Sequence, residues 1–340
     1  MPVTVRSFAK INLGLRIGPR REDGFHELLT VYQTIALHDL VRVRIVPGSG
    51  IEIHCNDPRV PRDGSNTCYR IAERAMAALA ARGRVVIEIE KRLPVQGGLG
   101  AASANAVAAL LALERALKKQ LPGPHRMRIA AEVGSDLPLF LLGGTVLGVG
   151  RGEQVFPLPD LPKFACVIVT PEFGVATPAA FADWDRLIST PNTAPAPAAS
   201  ALTASSSSDR MLEFSRVIAA WLNPQRNRKA KTGKVLSGVP GKGNRGRAET
   251  PLLDLVRAGI ENDFEKVVFP QYPELCEVKR SLQRAGAGYA SLSGSGSAVY
   301  GLFDSRVDAQ MAAAKLRRRG ISALASATLT RRRYWKATLD

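Results

Sequence analysis

Short runs of β-branched and aromatic residues, separated by turn residues, dominate the first 55 positions of the chain. Such runs predict strands, because these side chains pack well on a pleated, half-buried surface. The predicted strands are Val3–Phe8, Leu28–Ala36, Leu40–Val46 and Ile51–Cys55. An alanine-rich helix is then predicted over Asn66–Arg82, and apolar and polar residues alternate over Arg84–Glu90 as in a half-buried strand.

The remaining hydrophobic pattern mixes helices and strands. Helices are predicted at Ala101–Lys119, Pro124–Val133, just after Gly134, and at Thr177–Leu187, Asp209–Leu222, Pro251–Ala258, Glu261–Phe269, Tyr272–Ala285 and Arg306–Arg319. Strands are predicted at Gly143–Gly150, Phe164–Thr170, Tyr289–Leu292, Ala298–Phe303 and, as the last element, Ser322–Leu329. This order predicts an α+β chain with two domains, residues 1–160 and 161–340.

Two segments of biased composition interrupt the second half. Ser189–Ser208 is rich in Pro, Ala, Ser and Thr, and Asn223–Ala248 carries eight basic residues and no acidic one. We therefore predict a poorly structured insertion at about 189–248. The formal net charge of +17 falls to +9 without the basic segment, so much of the charge is local.

A strongly basic chain suits either nucleic acid or anionic small molecules. The basic segment lacks interleaved aromatic residues, with only Trp221 near its edge, and base stacking needs such residues. A solvated loop is therefore favoured, and a nucleic-acid-binding protein is the alternative from another functional class.

Membrane and metal sites are not indicated by the sequence. Met1–Val5 lacks a basic leader followed by an apolar run, and charged residues interrupt the most apolar stretch, Leu99–Leu117. The four cysteines and four histidines show no zinc-binding spacing. We expect a soluble cytoplasmic protein without a protein-ligated metal.

The glycine-rich segment Pro94–Asn105 is the strongest chemical signal. It follows the predicted strand Arg84–Glu90 and opens a helix. Glycines let backbone N–H groups approach a ligand, and a helix N-terminus attracts anions, so the segment predicts a phosphate-binding loop. A loop that only joins a strand to a helix is the alternative. The spacing is neither that of a Walker A loop nor that of a dinucleotide fingerprint.

Four segments, in this order along the chain, resemble the signature segments of the GHMP kinases. They are Ala9-Lys10-Ile11-Asn12-Leu13, the Pro94–Asn105 loop, Gly134-Ser135-Asp136-Leu137-Pro138 and Ser293-Gly294-Ser295-Gly296-Ser297. The resemblance covers nearly the whole chain. It implies a two-domain GHMP kinase fold, with a ribosomal protein S5 domain 2-like N-terminal domain and a ferredoxin-like C-terminal domain. It also implies ATP as co-substrate.

The resemblance assigns a set of residues to the nucleotide. The implied ATP-binding residues are Asn66, Lys91, Pro94, Gly97, Gly98, Leu99, Gly100, Ala101, Ala102, Ser103 and Asn105. Gly294, Ser295 and Gly296 form the C-terminal glycine motif. Ala101-Ala102 and Ala104 depart from the commoner Gly-Gly and Ser of the family, but these alanines remain small.

A further element, Asp23-Gly24-Phe25-His26, resembles that of the GHMP kinases that act on a cytidine diphosphate-linked methylerythritol in the non-mevalonate route to isoprenoid precursors. The resemblance implies that Phe25 and Phe181 stack on cytosine and that His26 hydrogen-bonds the base. It also implies that Thr177 lines the methylerythritol side. Without it, the two phenylalanines would be ordinary core residues and His26 would cap a turn.

The same resemblance implies the catalytic roles. Asp136 would take the proton from the acceptor hydroxyl, Lys10 would keep that carboxylate ionised and stabilise the transferring phosphoryl group, and Asn12 would orient the acceptor. The alternatives are a helix N-cap for Asp136 and a solvated strand lysine for Lys10. Magnesium is expected with ATP, held mainly through the phosphates.

The expected partners are small molecules: ATP and the cytidine diphosphate-linked substrate, with no membrane and no nucleic acid. Another GHMP kinase, acting on homoserine or a sugar, is the alternative within the family. We expect a monomer or a homodimer.

Overall fold

The computed structural model describes residues 1–95, 97–189, 211–216, 218 and 260–339. Most of the predicted insertion at 189–248 and the predicted helix Pro251–Ala258 lie outside these residues. Of the predicted helix Asp209–Leu222, residues 211–216 and 218 are described and are helical. Within the described part of the chain, no helix is long and apolar enough to cross a membrane.

The first half forms a six-stranded sheet. Its strands are β1 (Val3–Arg20), β2 (His26–Val46), β3 (Ile51–Cys55), β4 (Arg84–Glu90), β5 (Thr145–Val149) and β6 (Gln154–Pro157). They run in the order β3-β4-β2-β5-β6, and β1 pairs with β2. All pairs are antiparallel except β3 with β4.

The strands β1 and β2 are longer than the sequence predicted. The predicted strands Leu28–Ala36 and Leu40–Val46 are parts of β2, and the predicted strand Val3–Phe8 continues to Arg20. Register shifts between Phe8 and Lys10 and between Asn12 and Gly14 bend the β1–β2 pair without ending it. The apolar pattern breaks in the middle of both strands because buried polar side chains lie there, and these belong to the functional site.

Helices cover one face of this sheet. They are α1 (Thr67–Ala78), α2 (Ala101–Leu117), α3 (Gly123–Val133) and the short α4 (Leu137–Phe140). Helix α2 is buried at every residue from Ala104 to Glu114. Its alanines let it lie close to α1 on one side and to β1 and β2 on the other.

The second half forms a four-stranded antiparallel sheet. Its strands are β7 (Ala165–Val169), β8 (Tyr289–Leu292), β9 (Val299–Phe303) and β10 (Ala323–Ala327). Their order is β10-β7-β9-β8, as in a ferredoxin-like unit. The accompanying helices are α5 (Thr177–Ser189), α6 (Glu265–Gln271), α7 (Pro273–Arg284) and α8 (Arg306–Arg318). The predicted α+β class is confirmed.

The end of the chain differs from the prediction. The strand β10 is followed by a helix, α9 (Arg331–Leu339), which returns to the first half. There the Tyr334 hydroxyl donates to the Phe140 carbonyl at 2.7 Å, and Trp335 packs against the apolar core between the first sheet and its helices. Three consecutive arginines begin α9, so its sequence lacks the regular apolar spacing that would predict a buried helix face. The strand β6 was also not predicted, since it is short and mostly exposed.

Side chains of the two halves of the chain contact each other at a buried ion pair. The first sheet ends at Pro157 and the second begins at Ala165. Between the two halves, Arg16 of β1 donates to Asp263 at 3.1 Å and to Glu261 at 2.9 Å, and the Ile17 N–H donates to Asp263 at 3.0 Å. The division into residues 1–160 and 161–340 stays a prediction. The helix α9 belongs to the second range in sequence but packs on the first sheet.

Candidate active site

The glycine-rich loop connects β4 to α2 and approaches the second half of the chain closely. Gly98 and Gly100 have φ values of +70° and +67°, which favour glycine. A Cβ atom at Gly98 would lie 2.1 Å from the Ser293 carbonyl oxygen and 2.9 Å from that of Gly296. Gly98 is therefore required both by its conformation and by this contact.

The peptide carbonyls of the loop are held by hydrogen bonds. The Lys10 N–H donates to the Leu99 carbonyl at 3.0 Å, and the Ala298 N–H donates to that of Gly97 at 3.1 Å. The Ser293 hydroxyl donates to the Gly98 carbonyl at 2.9 Å. Because N–H and C=O point in opposite directions in a trans peptide, the N–H groups of residues 98–100 face away from these contacts. They form a cradle suited to phosphate.

Two cavities lie on either side of this loop. The α1 cavity, of about 400 Å³, lies between the loop, α1 and the start of α2. The interdomain cavity, of about 360 Å³, is lined by residues from both halves of the chain. Gly98, Gly100 and Ser103 line both cavities. The loop and the first turn of α2 are therefore a shared wall.

All residues assigned to ATP from the sequence line the α1 cavity. They are Asn66, Lys91, Pro94, Gly97, Gly98, Leu99, Gly100, Ala101, Ala102, Ser103 and Asn105. Asn66 also caps α1: its oxygen accepts from the Cys68 N–H at 2.8 Å, and its amide donates to the Pro61 carbonyl at 2.6 Å. These bonds fix the position of its side chain at the cavity wall.

Asp39 organises the base of the α1 cavity, although the sequence analysis missed it. Its fully buried carboxylate pairs with Lys91 at 2.5 Å and accepts from Asn105 at 3.0 Å. It also accepts from the N–H groups of Arg92 and Leu93 at 2.7 and 2.8 Å. This carboxylate therefore joins the end of β4 to α2, on both sides of the loop.

Arg59 is a further residue of the α1 cavity that the sequence did not indicate. Its guanidinium pairs with Asp57 at 2.7 Å. Hydrogen bonds from the Arg59 side chain and backbone lower the pKa of Asp57 to about 2. Arg59 therefore brings a cationic group to the cavity, while the Arg59–Asp57 pair as a whole carries no net charge.

A chain of polar side chains crosses the floor of the interdomain cavity. Asp136 pairs with Lys10 at 3.2 Å, and the Lys10 ammonium donates to the Asn12 oxygen at 2.8 Å. The Asn12 amide donates to the Thr30 hydroxyl at 2.8 Å. The Lys10 side chain is 5% exposed and that of Asp136 is 30% exposed. Both residues line the cavity, and the carboxylate is the more exposed of the two.

Asp136 stands at the start of α4, yet its side chain makes no capping hydrogen bond there. Instead, its second oxygen accepts from the Tyr32 hydroxyl at 3.1 Å. Burial, followed by the charge of Asp136, raises the pKa of Tyr32 well above its usual range. Gly148 and Gly152 make room for this tyrosine, since a Cβ at either would lie 2.5 or 2.4 Å from its side chain. Tyr32 was not predicted, because nothing marks it in a strand rich in large residues.

The aromatic residues line the other end of the interdomain cavity. Phe25 is 51% exposed, and the Arg151 guanidinium lies 4.9 Å from the centre of its ring. His26 stacks in parallel on Phe181 with 4.9 Å between ring centres. Both phenylalanines line the same cavity, but one face of Phe181 is covered by His26. A base stacked on both rings stays a prediction.

The C-terminal glycine motif closes this cavity from the second half. Gly294 and Ser295 line it, and the Ser295 hydroxyl lies 2.8 Å from that of Thr177. Gly296 packs behind them, with its carbonyl against Gly98. The Asn262 amide donates to the Leu292 and Gly294 carbonyls at 2.9 and 2.8 Å. Asn262, which the sequence analysis also missed, therefore fixes the shape of the motif.

Two family models match the chain. The GHMP kinases N terminal domain matches residues 66–144, and the GHMP kinases C terminal model matches residues 249–322. These ranges include the glycine-rich loop, Asp136 and the C-terminal glycine motif. The resemblance seen in the sequence is therefore confirmed at the level of the family.

Two curated relatives cover most of the chain. The 4-diphosphocytidyl-2-C-methyl-D-erythritol kinase of Solibacter usitatus is 38% identical over 302 residues, which are 89% of this chain and 81% of the relative. The kinase of the same name from Acaryochloris marina is 35% identical over 318 residues, which are 92% of this chain and 91% of the relative.

Solved structures agree in fold. A 4-(cytidine 5'-diphospho)-2C-methyl-D-erythritol kinase superposes with a TM-score of 0.67 and 28% identity, covering 96% of this chain and 99% of that one. Homoserine kinase from Cytophaga hutchinsonii also superposes with a TM-score of 0.67, but at 18% identity, covering 97% and 95%, so it shows the fold alone. The chain belongs to the 4-diphosphocytidyl-2-C-methyl-D-erythritol kinase family, a branch of the GHMP kinases.

Proposed function

We propose that the chain transfers the γ-phosphoryl group of ATP to the 2-hydroxyl of 4-(cytidine 5'-diphospho)-2-C-methyl-D-erythritol, in the methylerythritol phosphate route to isoprenoid precursors. The observation that carries the proposal is the wall shared by two cavities, formed by Gly98, Gly100 and Ser103. A phosphoryl group held on this wall faces the Lys10–Asp136 pair. Phosphoryl transfer depends mainly on such positioning and on charge stabilisation.

ATP occupies the α1 cavity in this proposal. Its phosphates lie against the N–H groups of the loop and the N-terminus of α2, whose dipole favours anions. Asn66 and Lys91 line the part of the cavity that would hold the adenosine. Asp39 holds Lys91 in place and supports the loop from below.

The acceptor occupies the interdomain cavity. The oxygen of the acceptor hydroxyl bonds to the γ-phosphorus, and the bond from that phosphorus to ADP breaks. Asp136 takes the proton of the hydroxyl in the same step. Lys10 stabilises negative charge on the transferring group, and Asn12 orients the hydroxyl. Tyr32 holds the Asp136 carboxylate from the side opposite Lys10.

The remaining predicted residues bind the rest of the acceptor. Phe25 and Phe181 would stack on cytosine, and His26 would hydrogen-bond its edge. Thr177 would line the methylerythritol side. Gly294 and Ser295 would close the cavity over it, with Gly296 supporting them from behind.

Magnesium fits the site as a partner of the phosphates. Among the described residues, no group of three His, Cys, Asp or Glu side chains could hold a metal ion. The Ser103 hydroxyl lines both cavities at their shared wall and is a suitable oxygen ligand, and Asp136 lies across the cavity. The ion would neutralise charge on the β- and γ-phosphates, and its other ligands would be phosphate oxygens and water.

Family membership also supports a cytoplasmic location, and a monomer or homodimer stays a prediction.

A comparison of acceptors tests the function. Phosphorylation is measured with ATP, magnesium and one of three acceptors: the cytidine diphosphate-linked methylerythritol, homoserine or a sugar. The proposal expects turnover of the first alone. Equal or faster phosphorylation of homoserine would contradict the proposed substrate and favour a homoserine kinase. Salt-sensitive RNA binding by a protein without kinase activity would favour the nucleic-acid alternative.

A further inference from the structure

His26 makes a contact that phosphoryl transfer alone does not explain. Its imidazole is 5% exposed, and its Nε2 atom lies 2.7 Å from the Asp185 Oδ1 atom. Asp185 belongs to α5 in the second half of the chain, whereas His26 begins β2 in the first. The contact therefore joins the two halves of the chain beside the interdomain cavity and reaches a residue that no sequence motif marks.

The chemistry of the two groups determines the direction of this hydrogen bond. A neutral imidazole has one N–H donor and one acceptor nitrogen. An ionised carboxylate only accepts, so in a neutral imidazole this contact requires the proton on Nε2 and leaves Nδ1 as an acceptor. Stacking on Phe181, with 6° between the ring planes, fixes the plane of the imidazole. The hydrogen bond to Asp185 fixes which edge of the ring turns away from α5.

Stacking does not distinguish one pyrimidine from another. An aromatic ring such as Phe25 offers a flat apolar face, and cytosine and uracil present similar faces to it. The two bases differ at one edge, where cytosine carries an amino group and uracil a carbonyl oxygen. A site that selects between them needs a hydrogen-bonding group of fixed polarity at that edge. His26 follows Phe25 in the chain and packs against Phe181, so it is in the right place.

We propose that Asp185 is a positioning residue that fixes the tautomer of His26 and thereby makes the interdomain cavity select cytosine over uracil. With Nδ1 as an acceptor, His26 pairs with the amino group of cytosine. Facing uracil, the same nitrogen meets a carbonyl oxygen, and two acceptors are left without a donor. This inference rests on the proposed function and adds the basis of its selectivity for the base.

The substitution Asp185→Asn tests this role, because an amide can present either an acceptor or a donor to Nε2. Either tautomer of His26 is then supported. We expect the preference in kcat/KM for the cytidine diphosphate-linked substrate over its uridine analogue to fall roughly 10- to 100-fold, as for a hydrogen bond lost in a buried site. The KM for ATP should stay unchanged. Asp185→Glu, which again only accepts, should restore much of the preference.

Asp183→Asn is the matched control. Asp183 lies two residues away on the same helix and accepts from the Gln271 amide at 2.6 Å. It does not line the interdomain cavity. The same substitution there should leave the preference between the two bases as it is in the unmodified protein.

Binding of CDP and UDP, measured by titration, separates this inference from the proposed function. An unmodified protein that binds CDP more tightly than UDP, and loses that difference in Asp185→Asn, supports the role of Asp185 even if turnover fails. Equal loss of affinity for both nucleotides would reduce Asp185 to a structural support and overturn the inference. An unchanged preference in Asp185→Asn would overturn it as well.

Discussion

The α1 cavity and the interdomain cavity share a wall but are built in different ways. The α1 cavity is lined by residues from only two parts of the chain, 59–68 and 89–105, and the second part contains the glycine-rich loop. The interdomain cavity collects residues, most of them with side chains, from eight separate parts of the chain. A backbone cradle suits a ligand common to many kinases, whereas side chains suit the ligand that differs among them.

This contrast makes different demands on sequence change. A backbone cradle tolerates other side chains but depends on glycine where the chain is crowded or has positive φ. A cavity of side chains loses a defined interaction with each substitution. Substitutions on the two sides of the wall should therefore affect the two substrates differently.

The largest effect is expected from Asp136→Asn. An amide keeps the shape of the side chain but cannot take the proton of the acceptor hydroxyl, so kcat should fall by about 10²- to 10⁴-fold. The KM values for both substrates should change little, because the cavity walls stay in place. Asp160→Asn, at a carboxylate that accepts from the Arg331 N–H and lines neither cavity, is the control. Near-normal turnover of Asp136→Asn would remove this residue from its role.

Gly98→Ala should damage both cavities at once. Its Cβ would collide with the Ser293 carbonyl, and an alanine in this conformation costs about 1–3 kcal/mol in stability before any clash. We expect kcat/KM to fall at least tenfold for both substrates, with a lower melting temperature. Gly320→Ala has a similar φ of +77° and nothing within 4 Å, so it measures the backbone strain alone. Equal effects of the two substitutions would mean that the contact with Ser293 is unimportant.

Phe25→Ala should affect only the acceptor side. Loss of a stacking partner costs about 1–3 kcal/mol, so the KM for the cytidylated substrate should rise roughly 5- to 150-fold while the KM for ATP stays constant. Phe156→Ala removes a similarly exposed phenylalanine that lines neither cavity. A parallel rise in both KM values would contradict the stacking role and blur the distinction between the two cavities.

The smallest effect is expected from Tyr32→Phe, which removes one hydroxyl. The Asp136 carboxylate loses its second hydrogen bond, and kcat should fall by about three- to tenfold. In an Asp136→Asn background the same change should have little further effect, since the two residues act together. Tyr334→Phe deletes a buried hydroxyl that donates to the Phe140 carbonyl and serves as the control. Additive losses in the double variant would show that Tyr32 acts independently of Asp136.

The residues predicted for the two cavities line them, except Gly296, but only the glycine-rich loop was marked by the spacing of its own residues; the others followed from the resemblance to a family. Backbone binding requires glycines at fixed spacing, so Gly97, Gly98 and Gly100 stand out in a linear pattern. The fold class, and strands such as Arg84–Glu90, followed from regular alternation in the same way.

The residues that the sequence missed are polar or aromatic side chains that no motif marks. Asp39, Tyr32 and Asn262 become important only because the fold brings Lys91, Asp136 and Gly294 next to them. Their partners lie 52, 104 and 32 positions away, so no local pattern could reveal them. The helix α9 was missed because its buried face depends on contacts with the first sheet.

A crystal structure with a non-hydrolysable ATP analogue and the cytidine diphosphate-linked acceptor would test the central claim most directly. The account predicts triphosphate on the loop side of the wall, cytosine beside Phe25, and the acceptor hydroxyl within about 2.6–3.2 Å of the Asp136 carboxylate. Both ligands on one side of the wall, or an acceptor hydroxyl out of reach of Asp136, would contradict it.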